Sequence, residues 1–365
     1  MAKLEILGHH TVYRNPHPNS ISEYVGFPVI QALPDDTLLC MCRHGTARES
    51  DDSVVRVHRS TDGGSTWNPA GALPELENPL PGMRMPGGFG LPVTGDVIAC
   101  ATEPGIGQEE QLIWRSNDSG TSWSQPTHVA ADPFKQVAVG GNLATLPDGM
   151  LVSASEWGED RPDAVMPDWA SLLTMSSDHG RTWQPWRRIH GPREDGVYFY
   201  DMRICLLADG RLLAVYWTHD MEKDEGLNVH LSWSADKGQT WSPPHDGGFW
   251  GQVTSIAALN SGRVIAVTNH RRDPHGVRAV LSDDGGASFA EADHVELWGI
   301  EPARTRNAPV LAKRRDVQEN VLESYHFFTF GTPTVTQLSS GVIVAAFYVT
   351  EEQVTYVRCC LLREV

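Results

Sequence analysis

No apolar run in this 365-residue chain approaches the roughly 18 residues that cross a bilayer. Positive charge is scarce too: 29 Lys and Arg stand against 46 Asp and Glu, a net charge of -17. A duplex binder needs a basic stripe to displace counterions, so nucleic acid is excluded as a partner, and an anionic membrane surface with it. The acidity reads as a solubility feature. The opening stretch, MAKLEILGHHTVYRNP, lacks the long apolar core and small-residue cleavage site of a secretory leader. A cytoplasmic location is the expectation, although a secreted form without its leader would read the same. Cysteine is sparse. Cys40, Cys42, Cys100, Cys205, Cys359 and Cys360 lie in apolar runs without a C-x-x-C pair, which predicts buried reduced thiols in place of bridges or zinc ligands. The histidines show no H-x-H or H-x-x-x-H spacing and no glycine-rich phosphate loop leads into a helix, so neither metal nor cofactor is expected.

What is present is repetition. STDGGSTW (Ser60–Trp67) returns as SNDSGTSW, SSDHGRTW, SADKGQTW and SDDGGASF, placing aspartates at Asp62, Asp118, Asp178, Asp236 and Asp284. Steps of this size signal propeller blades or solenoid coils. A fainter repeat of apolar hairpins begins at Leu33, Leu91, Leu146, Leu207, Leu259 and Leu338, as in LPDGMLVSA and LADGRLLAV. Each unit reads as strand A, turn, strand B, loop, strand C, the aspartate turn and strand D, with no long helical period. Six units of four antiparallel strands predict an all-β, six-bladed propeller forming one domain over 1–365. Only five aspartate turns occur because TYVRCCLL supplies the last strand C, and LEILGHHTVY near the N-terminus must close blade six. The aspartates read as turn pins. A long insertion at about 290–331 reads as a solvated loop or a rim lid.

The five S-x-D-x-G-x-T-W turns resemble the Asp-box (BNR) repeats of the sialidase superfamily, over almost the whole chain. The resemblance implies the propeller fold, while the activity stays open among sialidases, other glycosidases, polysaccharide lyases and non-catalytic propellers. Sialidases carry an Arg-Ile-Pro stretch on the first A strand, an Asp general acid before the first box, and a Glu on a middle blade that assists a Tyr nucleophile. Three arginines clamp the substrate carboxylate. Counted from the A–B turns, Gly26 stands at the first clamp arginine, Trp217 at the second, and Arg271 or Arg272 at the third. Asp51 and Asp52 match the general acid, and Asp201 matches the Glu. The tyrosine position falls near Thr332, with Phe330 and Tyr325 the nearest aromatics. Gly26 and Trp217 cannot pair with a carboxylate, which implies a substrate other than a sialoside.

In propellers of this kind the pocket opens where A strands begin and B strands finish. The A-strand starts offer Tyr24, Arg84, Asn142, Tyr198, Tyr200, Asp201 and Gln252, and the B–C loops Arg43, His44, Glu103, Glu156, Trp157, His219, Asp220, Asn269, His270, Arg271 and Arg272. Such a rim suits sugars, whose faces stack on aromatics while their hydroxyls need paired donors and acceptors. Asp201, Asp51, Asp52, His44, His219 and Tyr200 are the candidates for chemistry. Arg43, Arg84, Glu156, Trp157, Tyr198, Trp217, Asn269, His270, Arg271 and Arg272 are the candidates for binding a carbohydrate. Each has a plainer reading: Asp201 as the partner of Arg203, Asp51 and Asp52 as an exposed acidic loop, and the histidines as loop residues. Three functions follow. The first is a glycoside hydrolase using Asp201 with Asp51 or Asp52 on a non-sialic, for instance uronate-containing, glycoside. The second is a lyase with Arg271 or Arg84 neutralising a uronate and His44, His219 or Tyr200 as base. The third is a sugar-binding propeller without chemistry.

Overall fold

A computed structural model describes residues 3–78, 81–103, 110–134, 137, 141–157, 169–299 and 329–365. It forms six antiparallel sheets in a ring, as the repeats predict. Blade one runs Tyr24–Ala32, Leu38–Gly45, Val54–Ser60, Asn68–Ala72, and the order A-B-C-D holds in every blade. Blade four adds a short fifth strand, Glu225–Gly226. Blade six closes as expected: Leu4–Tyr13 pairs antiparallel with Val354–Glu364. The only helical element among the described residues is the 3-10 turn Glu291–Asp293.

Most B strands open as apolar runs because both of their faces are covered; in blade three the run is broken by the buried Ser153 and Ser155. Leu39 and Met41 pack toward blade two, while Leu38, Cys40 and Cys42 face blade six. Successive side chains on a strand point to opposite faces, so a single run feeds two of the six apolar clusters that separate neighbouring blades. All six cysteines are buried free thiols in these walls.

Each aspartate turn is pinned in the same way. Asp62 Oδ1 accepts the Ser60 hydroxyl and the Thr66 N–H, and Oδ2 accepts the Thr66 hydroxyl at 2.6 Å. Asp118, Asp178, Asp236 and Asp284 repeat the pattern. The glycine is required at the turn's crossing point: Gly120 has φ +78°, and a Cβ there would lie 2.6 Å from Leu39 of blade one. The turns cluster at the end of the ring opposite the A-strand starts, leaving the other end to the site.

Candidate functional site

Bulges shape the mouth of the ring. In blades one, two, four and six the A–B register slips by one residue near the start of strand A, between Gly26 and Val29, Pro86 and Gly88, Tyr200 and Arg203, and Gly331 and Thr334. In three of these the slipped segment holds a non-glycine residue in the left-handed region: Phe27 (φ 52°), Asp201 (50°) and Thr332 (44°). That backbone is costly for residues with a Cβ and persists where surrounding contacts enforce it. At Asp201 the contact is visible. The bulge turns its N–H out of the ladder, and it donates to Glu156 Oε2 of blade three at 2.7 Å.

Glu156 and Asp201 form the electrostatic centre. Glu156 lies one residue before the end of strand B of blade three, Leu151–Trp157, on the face that also carries Val152 and Ala154, the face turned to blade four. Burial, and then the neighbouring Asp201, raise its carboxyl to about 8, against the opposing pull of the Asp201 N–H, the Trp169 indole N–H and Arg203. Trp169 Nε1 donates to the same Oε2 at 3.1 Å. Burial also raises Asp201, which Arg203 and Arg271 counter. Arg203 Nη2 lies 3.9 Å from Asp201 Oδ1, while its Nη1 donates to Gly141 O. Beneath the pair runs a central channel of about 340 Å³ lined by all six A strands, Arg203 included.

Aromatic rings flank the acids on one side. Tyr200 lies 5.8 Å from Trp169, 5.6 Å from Trp217 and 5.9 Å from Tyr198, with which it stacks. The opposite side is cationic. Arg43 covers Phe27 at 4.5 Å and Tyr24 at 5.3 Å, and Arg48 covers Phe27 at 5.7 Å. Arg271 donates to Gln252 Oε1 and to Phe330 O. Beside it Asn269 is fully buried, and neither of its amide atoms meets a hydrogen-bonding partner among the described residues. Asn269 Nδ2, Arg271 Nη2 and Tyr348 Oη crowd the bare Cα of Gly331, where a Cβ would meet them at 2.9, 2.5 and 3.3 Å.

Other candidates serve elsewhere. Asp52 Oδ1 accepts the Thr46 N–H and hydroxyl, so it pins its own exposed loop, and Asp51 is exposed beside it. Arg84 donates to Ser53 O and pairs with Glu75. His270 Nδ1 faces the carbonyls of Arg272 and Pro274, and Arg272 reaches Gly226 O across Trp250. His219 is buried against Asp224. His44, one residue past Arg43, points the other way, toward blade six. There Tyr13 Oη and His44 Nδ1 both donate to Glu23, and His44 Nε2 lies 3.1 Å from His58 Nε2. With the His44 Nδ1 proton directed at Glu23, the proton between the rings belongs to His58. Burial, then His44 and Arg56, depress His58 to about 3. The histidines are thus not brought together at the mouth. The Trp157 side chain, Tyr325 and most of the 290–331 insertion lie outside the described residues. Among those described, no three His, Cys, Asp or Glu side chains gather as a metal site.

Gly26 explains the missing first arginine. A Cβ there would lie 2.6 Å from Tyr24 Oη, because Tyr24 and residue 26 share one face and the phenol ring lies over the bare Cα. Its cross-strand partner is Arg43. Gly26→Arg is therefore expected to lower the melting temperature, at a cost of about 1–3 kcal/mol for overpacking, without creating a carboxylate clamp. Trp169 escaped the rim inventory, which took strand-A starts, strand-B ends and the residues just after them. It immediately precedes strand C, Ala170–Ser176, whose start pairs with Trp157 at the same rim.

Comparison with known proteins places these features in context. The profile of the BNR repeat-like domain matches residues 36–299. A xyloglucanase of Hypocrea jecorina (strain QM6a) is 26% identical over 298 residues, covering 75% of this chain and 33% of the xyloglucanase. The chain thus spans a third of that relative's length. A protein of unknown function from Dyadobacter fermentans DSM 18053 superposes with a TM-score of 0.74 at 16% identity, over 99% of both chains. The Hadza microbial sialidase Hz136 superposes at 0.64 with 16% identity, over 98% of this chain and 68% of its own. At such identities the likeness establishes the six-bladed fold.

Proposed function

The chain belongs to the BNR repeat-like domain family, and from that premise we propose that it is a glycoside hydrolase acting at the propeller mouth on a glycoside other than a sialoside. The observation that carries this reading is the hydrogen bond from the Asp201 backbone N–H to Glu156 Oε2, which sets the two acids close enough for Asp201 to raise Glu156. Glycoside hydrolysis needs two carboxyl groups, one to protonate the leaving oxygen and one to act as nucleophile or base. Asp52, engaged with Thr46, fits that second place less well than Glu156 does. The rings of Trp169, Tyr200 and Trp217 suit the face of a sugar, and the unmatched amide of Asn269 suits its hydroxyls. Arg271, across the mouth, suits an anionic substituent such as a uronate. The similarity to a xyloglucanase supports a glycan substrate.

A lyase fits less well. Burial, then Tyr198 and Glu156, push the Tyr200 phenol up, which makes it reluctant to ionise, and His44 and His219 are buried against Glu23 and Asp224. The test is to incubate the protein with neutral, uronic and sialic oligosaccharides, following reducing ends and near-ultraviolet absorbance together. New reducing ends without absorbance are expected. Both signals rising together would establish elimination and remove the hydrolase reading.

A further inference from the structure

Asp201 and Glu156 are chemically alike but held differently, and the difference assigns their roles. Glu156 receives two N–H donors, the Asp201 backbone at 2.7 Å and the Trp169 indole at 3.1 Å, and both reach the same oxygen, Oε2. An oxygen accepting two N–H groups needs its lone pairs for them, so any proton the group carries belongs on Oε1. Glu156 is 9% exposed and sits beside a second carboxyl, a combination that disfavours two negative charges. Burial raises Asp201 too, but two guanidinium groups oppose it there, Arg203 at 3.9 Å and Arg271 beyond, where Glu156 has Arg203 alone. Around the pair, Arg203 and Tyr200 belong to the same strand as Asp201, and Trp169 faces it from blade three.

We propose that Glu156 is the proton donor of the reaction, delivering the proton from Oε1, and that Trp169 is a positioning residue that selects this oxygen. The inference rests on the hydrolase reading above and departs from the loop aspartate that the sialidase resemblance implies. In the step, the Oε1–H bond breaks and the proton bonds to the glycosidic oxygen. The bond from that oxygen to the anomeric carbon breaks, and its electron pair stays with the departing alcohol. If Asp201 is the base, it takes one proton from a water as that water's oxygen bonds to the anomeric carbon, and the proton returns to Glu156 through solvent. If it is the nucleophile, its bond to the anomeric carbon breaks when the water oxygen displaces it, and Glu156 takes the proton that water gives up. As the carboxylate forms, the two N–H donors on Oε2 already face it, so the charge appears where donors are in place.

The raised Glu156 carboxyl is consistent with a group still protonated at neutral pH. Because an acid must be protonated to act, kcat/KM is expected to fall as pH rises through that group's pKa.

The probes are matched 2,4-dinitrophenyl and phenyl glycosides of glucose, xylose, arabinose and glucuronic acid. A dinitrophenolate leaves without help and a phenolate does not. In kcat/KM, Glu156→Gln is expected to lose about a thousandfold on the phenyl glycoside, to stay within about tenfold on the dinitrophenyl one, and to lose the alkaline limb of the pH profile. Trp169→Phe removes a donor to the anion, so its alkaline limb should move to higher pH. Thermal melts of both variants establish that they fold. Equal loss on both leaving groups, or an unmoved limb in Trp169→Phe, would overturn the proposal while leaving the hydrolase reading intact. A wild-type protein that cleaves neither glycoside but cleaves a panel oligosaccharide moves the same comparison to pH profiles on that oligosaccharide. Cleavage of nothing ends both readings.

Discussion

Asp201→Asn is expected to fold normally and to lose about three orders of magnitude or more in kcat. The substitution suits the site for structural reasons. Asparagine tolerates the left-handed region better than almost any residue except glycine, so the φ of 50° at this bulge survives. Its backbone N–H still reaches Glu156 Oε2. What disappears is the negative charge, and with it the nucleophile or base. The loss also removes one cause of the raised Glu156 carboxyl, so residual activity should show its alkaline limb at lower pH. Asp201→Ala would confound the result, since alanine does not favour this backbone. Steady-state turnover beside a thermal melt decides the matter. Activity within tenfold of wild type in a folded Asn variant would remove Asp201 from the chemistry.

Acid should open the wall between blades six and one. His58 is 1% exposed, shares one proton with His44, and titrates at about 3 against an ordinary value near 6.5. Its folded-state pKa is depressed, so the unfolded chain binds the proton more readily. Stability is therefore intact above about 6.5 and is lost as pH falls from there toward 3. By pH 4 this group alone accounts for about 3 kcal/mol, as an order of magnitude. His44, likewise depressed by burial though supported by Glu23, adds to the loss. His58→Gln cannot titrate, yet its amide can still donate to His44 Nε2. Between pH 7.5 and 4 its melting temperature should fall distinctly less than that of wild type. Parallel curves for the two proteins would show that the acid-labile group lies elsewhere.

The ring was legible in the sequence because its cause is local and repeated. Each aspartate turn is a self-contained set of hydrogen bonds, and each B strand opens on an apolar pair that faces both ways, so every blade announces itself without knowledge of the others. The site was legible only in outline. Counting from the hairpins found the rim, and with it Asp201, Glu156, Asn269 and Arg271. It could not tell which way each side chain points. Arg43 and His44 are adjacent, yet the strand's pleat sends one to Phe27 and the other to Glu23 and His58. The bulge at Asp201 shifts the register by one and is written in no composition or period, so the partnership with Glu156 was invisible. Asp52 matched a catalytic position by count, but Thr46, six residues back, captured its carboxylate.

Closure by the first strand has a kinetic consequence. Blades one to five are each built from neighbouring stretches of chain and can assemble in order as synthesis proceeds. Blade six is different: Leu4 pairs with Glu364, and the Lys3 and Val365 backbones exchange two hydrogen bonds of 2.9 Å. The first strand of the ring must wait for its last, so the loop it closes spans the whole ring, and contacts of that range form slowly. Until then Leu4–Tyr13 is an open edge able to pair with another chain. The clasp that completes the ring is thus also the place where a nascent or acid-loosened molecule is most exposed to joining its neighbour, strand to strand.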